Sequence, residues 1–92
     1  MEIRKRMSDS NIGIQKYGKV LFADPVNNKY PIDTEKHIRA AWAYIHIPRN
    51  AAKYSPDEVE IIKNAIRKES KKYNINLVAS LISSAIKLLQ KR

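Results

Sequence analysis

The residues of this chain best suited to chemistry are Asp33, His37 and His46, because a carboxylate with imidazoles can ligate a metal or move a proton. Asp33 and His37 are four apart, but His46 lies nine positions beyond His37, more than two helical turns away. Asp33 is accounted for as a turn or cap residue ahead of a helix, so the spacing gives no metal site. No serine-histidine-aspartate pattern or nucleophile elbow is present, Gly13 and Gly18 are too few for a phosphate loop, and the acids show no paired arrangement. The absence of cysteine excludes disulfide staples, Cys-based zinc sites and thiol catalysis. These exclusions point to a noncatalytic protein with no cofactor, no metal and no small-molecule substrate.

Cations and aromatics carry the remaining clues. Lys and Arg number 18 against 9 acids, a formal charge of +9 that favours polyanionic partners through long-range attraction and counterion release. Part of that charge is helix design: Asp57, Glu58, Glu60 and Glu69 share a helix with Lys63, Arg67, Lys68, Lys71 and Lys72, in the order that complements the helix dipole. Lys36, Arg39, Arg49 and Lys53 are opposed only by Glu35 and are the expected nucleic-acid-binding residues; Lys87, Lys91 and Arg92 are opposed by nothing. Trp42 shares a helical stripe with Ile38 and Ile45, so core packing accounts for it better than base stacking. Tyr44 is expected to face solvent near His37 and Lys36, while Tyr30 and Tyr54 flank two helices and seal the ends of the core.

The elements that position these residues are set by punctuation and period. Ninety-two residues suffice for one small domain. Residues 1–15 mix charge with Ser, Asp and Asn without period and read as a flexible basic arm; residues 16–92 read as a single helical domain. Residues 20–22 are expected to pair with a strand near Ile14 across Lys16-Tyr17-Gly18, or to lie against the helices, and Pro31 to hold Tyr30 extended. Asp33 or Thr34 caps a helix running to about His46, with Ile38, Ala41, Trp42 and Ile45 on its core face and Pro48 beyond its end. Residues 48–54 read as a loop. Ser55-Pro56-Asp57-Glu58 then opens a second helix by a capping box with proline at the first position. Its face is Val59, Ile62, Ile66 and Tyr73, and Asn74 is its left-handed cap, covered by Ile75. A third helix, residues 77–90, has a wide apolar face in which Leu81, Ile82, Ala85, Leu88 and Leu89 are the candidate interaction residues. The fold class is therefore mainly α: three helices with a short extended or hairpin segment near the N-terminus.

The two helices are not a helix-turn-helix motif, which uses a turn of about three or four residues and keeps acids away from the leading turn of its second helix. Residues 48–55 are twice that length, and Asp57 and Glu58 stand in that turn. No apolar run approaches bilayer-spanning length and the N-terminus lacks an apolar signal segment, so a cytoplasmic protein is expected. Clustering of Lys87, Lys91 and Arg92 at one end argues against a helix lying on anionic lipid.

The string FADPVNNKYPIDTEKHIRAAWAYI, followed by PRNAAKYSPDEVEIIKNAIRKESKKYNI, resembles a small bacterial and phage-associated domain of uncharacterised function. In that domain Phe-Ala-Asp-Pro precedes Lys-Tyr-Pro-Ile, a histidine-containing helix and a Tyr-Ser-Pro-Glu-type helix start. The resemblance covers residues 22–75 and implies domain boundaries, with no catalytic or ligand-binding residues to carry over. Because some members resemble parts of larger phage proteins, it also implies roles in assembly or nucleic-acid handling. The reading that results is a noncatalytic module binding nucleic acid through phosphate contacts; the alternative is a protein-interaction or assembly module of phage or mobile-element origin, self-associating as a homo-oligomer through residues 77–90.

Overall fold

Two helices and a hairpin enclose the core in the structure, a computed structural model that describes residues 3–6 and 10–78. In chain order the elements are α1 (Asn11–Tyr17), β1 (Phe22–Asp24), β2 (Lys29–Pro31), α2 (Glu35–Ile45), α3 (Pro48–Ala51) and α4 (Pro56–Lys72). Four helices thus stand among the described residues where three were expected over the whole chain. Of the expected third helix only Leu77 and Val78 are described, both with helical backbone; the rest of it lies outside the described residues.

Local chemistry sets the helix ends. Thr34 is extended and its hydroxyl accepts the His37 amide at 3.1 Å, which satisfies one orphan donor of the α2 opening turn. Pro48 cannot continue α2, and Ile47 before it is extended; yet the same ring suits the first position of a new turn, so residues 48–51 form α3 instead of the expected loop. At α4 the capping box is reciprocal: the Ser55 hydroxyl accepts the Glu58 amide at 3.2 Å, and Glu58 Oε1 accepts the Ser55 amide at 2.7 Å. Asn74 closes that helix at φ 54°, and the Ile75 amide donates to the Ser70 carbonyl at 3.0 Å.

The facing stripes of α2 and α4 make the core. Ile38, Ile45, Ile62 and Ile66 are at most 1% exposed, and burial of each such side chain stabilises by about 1.5–3 kcal/mol. Ile3, Trp42, Ala41, Ile32, Ala23, Tyr54 and Ile75 complete the cluster. Tyr73 departs from the expected core face: it is 44% exposed, and its hydroxyl donates to the Asp33 carbonyl at 3.0 Å.

The hairpin differs from the expected pairing with residues near Ile14, which belong to α1. β1 pairs antiparallel with β2, Phe22 opposite Pro31 and Asp24 opposite Lys29. The reversal is local because Asp24 Oδ1 accepts the amides of Val26 and Asn27, and Asn28 takes φ 55°. Tyr30 is not extended as expected; it stands at φ 59°. Pro31 disfavours the right-handed helical region for its predecessor and ordinarily leaves it extended, but Tyr30 takes the left-handed region instead.

Where residues 1–15 read as a flexible arm, residues 3–6 are packed on the domain and residues 11–15 belong to α1. Ile3 is a core residue at 5% exposure. The Arg4 amide donates to Glu58 Oε2 at 2.7 Å and the Arg6 amide to Asn27 Oδ1 at 2.6 Å. Farther along, α1 ends at Gly18, whose φ of 82° suits glycine and whose amide donates to the Ile14 carbonyl at 2.7 Å. Gly13 lies so close to the turn that a Cβ there would overlap the Asn28 carbonyl.

Candidate functional site

A buried polar network underlies the site. Asp24 and Asn27 are 0% exposed, so each of their polar atoms needs a partner. Besides the two turn amides, Asp24 accepts from Asn27 Nδ2 at 3.0 Å and from the Tyr54 hydroxyl at 2.7 Å. Asn27 Nδ2 also donates to the Arg4 carbonyl at 3.0 Å. Burial, together with the hydrogen bond to Asp24 and its charge, pushes the Tyr54 hydroxyl well above the ordinary tyrosine range, with Arg6 opposing. Tyr54 therefore remains a proton donor to the carboxylate. Burial likewise raises Tyr30, opposed by Arg6 and reinforced by Asp24.

Glu58 fixes the same region from α4. Its carboxylate is held below the usual range by the amide of Arg4 and then by that of Ser55, against the opposing effect of desolvation. The Arg4 guanidinium stands 3.7 Å away.

Above this network lies a half-open cleft of about 330 Å³ between α1, the hairpin, α2 and the segment from α3 to α4. Four cations line it, Arg6, Lys16, Lys29 and Lys53, with four tyrosines, Tyr17, Tyr30, Tyr44 and Tyr54; no acid is among the lining residues. Arg6 lies over the Tyr54 ring at 5.2 Å and Lys16 over the Tyr17 ring at 5.4 Å. The rings also brace one another: Tyr17 meets His37 edge-on at 5.3 Å, and Tyr30 is 6.4 Å from Tyr54. A second hollow, lined by Arg4, Lys5, Arg6, Lys53, Tyr54 and Glu58, shares Arg6, Lys53 and Tyr54 with the first and extends the basic surface.

Of the four expected nucleic-acid-binding residues, only Lys53 lines the cleft. Lys36 and Arg49 are exposed outside it. Arg39 pairs with Glu35 at 3.0 Å, and on a regular helix it stands roughly 150° round from the His37, Ala40, Ala41 and Tyr44 stripe that faces the cleft. The four expected residues are therefore not gathered into one site. The interaction residues Leu81, Ile82, Ala85, Leu88 and Leu89 lie outside the described residues. Tyr44 is 56% exposed at the cleft beside His37, as expected.

The first candidates for chemistry resolve into local contacts. Asp33 and His37 meet at 2.5 Å, and His46 Nδ1 donates to the Trp42 carbonyl at 2.7 Å. Among the described residues, no three His, Cys, Asp or Glu side chains gather to hold a metal, and no helix is long and apolar enough to cross a membrane.

Sequence reasoning missed Arg6, Lys16, Tyr17 and Lys29. A signal for three of them was present: Lys-Tyr occurs at 16–17, 29–30, 53–54 and 72–73, and the first three doublets all line the cleft. They come from the end of α1, from β2 and from the segment between α3 and α4, so only the tertiary fold brings them together.

Fold and site together define a small, mainly helical domain with one hairpin and a basic, tyrosine-lined cleft. The chain belongs to the family of unknown function DUF6582, which it matches over residues 1–80. That match extends on both sides of residues 22–75 and takes in the N-terminal segment that closes the core. No curated protein and no solved structure shows significant similarity to it.

Proposed function

We propose that this protein is a noncatalytic nucleic-acid-binding module whose phosphate contacts lie in the cleft of the Lys-Tyr doublets. The observation that carries the reading is the lining itself: Arg6, Lys16, Lys29 and Lys53 among tyrosines, without an acid. Such a surface attracts a polyanion over several ångströms and releases counterions when phosphates replace them. Asp24 does not cancel the field by direct contact, being fully buried and engaged in four hydrogen bonds.

The test is fluorescence anisotropy of labelled oligonucleotides at several salt concentrations. Changing Lys16, Lys29 and Lys53 together to Ala should weaken binding and reduce the slope of log affinity against log salt by about two to three, near 0.7–0.9 for each lost phosphate contact. Changing Lys36, Arg39 and Arg49 should have a smaller effect. An unchanged slope in the Lys16/Lys29/Lys53 variant would refute the site.

A second reading, assembly through residues 77–90 of a phage or mobile-element protein, draws on their apolar sequence and on Val78, which is 68% exposed. Sedimentation that depends on concentration, and ceases to do so in Leu81→Glu, would support it.

A further inference from the structure

We infer that the cleft takes a single strand of nucleic acid, with one unpaired base stacked on the Tyr44 ring. This rests on the nucleic-acid reading above and names the form of the ligand. Tyr44 is the most exposed large aromatic of the cleft at 56%, and among the described residues its ring meets no other ring or cation, unlike those of Tyr17, Tyr30 and Tyr54. Its backbone, by contrast, is pinned. The Tyr44 carbonyl accepts from Asn50 Nδ2 at 2.9 Å and from the Ile47 amide at 3.1 Å, which ties the last turn of α2 to α3. A ring open to contact on a fixed backbone is a stacking platform that any base can use.

Size and charge favour a single strand. The cleft of about 330 Å³ lies at the small end of ligand sites, which span about 300–1,000 Å³. It can admit an unstacked base with its phosphate, whereas a duplex keeps its bases stacked inside and presents mainly its backbone. Arg6 and Lys29 are only partly exposed, so a chain must enter the cleft to reach them. The neighbouring hollow carries the basic track onward over Lys53 to Arg4 and Lys5, along which the adjoining phosphates can lie. Glu58 in that hollow is occupied by the Arg4 and Ser55 amides.

The experiment compares labelled oligo-dT, oligo-U and a mixed-sequence duplex of equal length, with polyglutamate as competitor. Single strands should bind more tightly than the duplex. Tyr44→Ala should weaken their binding by about fivefold to a hundredfold with little change in salt slope, as loss of one stacked base requires. Tyr44→Trp should restore it, and duplex affinity should move in neither variant. Since Tyr44 is exposed, both variants should keep the wild-type melt. Duplex binding equal to or tighter than single-strand binding, or an unaffected Tyr44→Ala, overturns the single-strand assignment while leaving the phosphate-binding cleft standing. No saturable binding to any oligonucleotide, or competition by polyglutamate as effective as by oligo-dT, overturns both.

Discussion

Tyr54→Phe is the most exacting test of the buried network, because it removes one hydroxyl and little volume. That hydroxyl donates to Asp24 Oδ2 at 2.7 Å and lies 3.4 Å from Arg6 Nη1. Its loss leaves a fully buried carboxylate with three hydrogen bonds of four. Hydrogen bonds to charged groups contribute about 1.5–3 kcal/mol, so the variant should lose stability in that range. With a urea dependence of about 1 kcal/mol per molar for so small a domain, the unfolding midpoint should fall by about 1.5–3 M, read by Trp42 fluorescence or circular dichroism. The pH dependence supplies an independent arm. Because the folded state holds Tyr54 protonated above its ordinary range, the stability associated with that proton is present below about pH 10 and is lost as the unfolded chain ionises above it. Tyr54→Phe should therefore show a shallower alkaline fall, with Tyr30 supplying what remains. A midpoint within about 0.3 M of wild type, together with an unchanged alkaline limb, would refute the assignment of Tyr54 as donor to Asp24.

Two further predictions concern the core and the N-terminal segment. Trp42→Ala should destabilise by about 3–5 kcal/mol in a thermal or urea melt, because it empties the centre of the α2–α4 contact and removes the ring over which Arg67 lies at 5.3 Å. Glu58 has its pKa lowered in the fold, so its stabilising effect is present above the ordinary glutamate value near 4.3 and is lost as pH falls through and below it. Glu58→Gln should accordingly flatten the acid limb of stability against pH and speed amide exchange at Arg4, both measurable by hydrogen exchange and melting across pH 2–6.

Features decided by neighbouring residues were legible in the sequence. Ser55-Pro56-Asp57-Glu58 contains both halves of its capping box within four positions, and Ile38, Ala41, Trp42 and Ile45 display their common face by spacing alone. The placement of residues 3–6 was hidden because their amides are answered by Glu58 and Asn27, the first pair separated by 54 positions and the second by 21. Pro48 was legible as a stop, but its equal fitness to begin a turn depends on Arg49, Asn50 and Ala51 continuing it. At the candidate site, counting cations along the chain favoured Lys36, Arg39, Arg49 and Lys53; the helix turns Arg39 away from the cleft and Glu35 partners it, and Lys36 and Arg49 do not line it. The doublets Lys16-Tyr17, Lys29-Tyr30 and Lys53-Tyr54 carry no meaning until three separate elements converge.

The docking of Ile3, Arg4 and Arg6 also bears on how this domain is made. Those residues precede every helix and strand of the fold, yet the acceptor for the Arg4 amide is Glu58 in α4, so their seat does not exist until residues 56–72 have been added. Closing so long a loop carries an entropic cost larger than that of the hairpin or of the α2–α4 pairing, whose partners are nearer in sequence. Residues 3–6 are therefore expected to dock late, an order that pulsed hydrogen exchange at the Arg4 amide would check. Because Arg6 lines the cleft, the basic surface is complete only when that segment is docked.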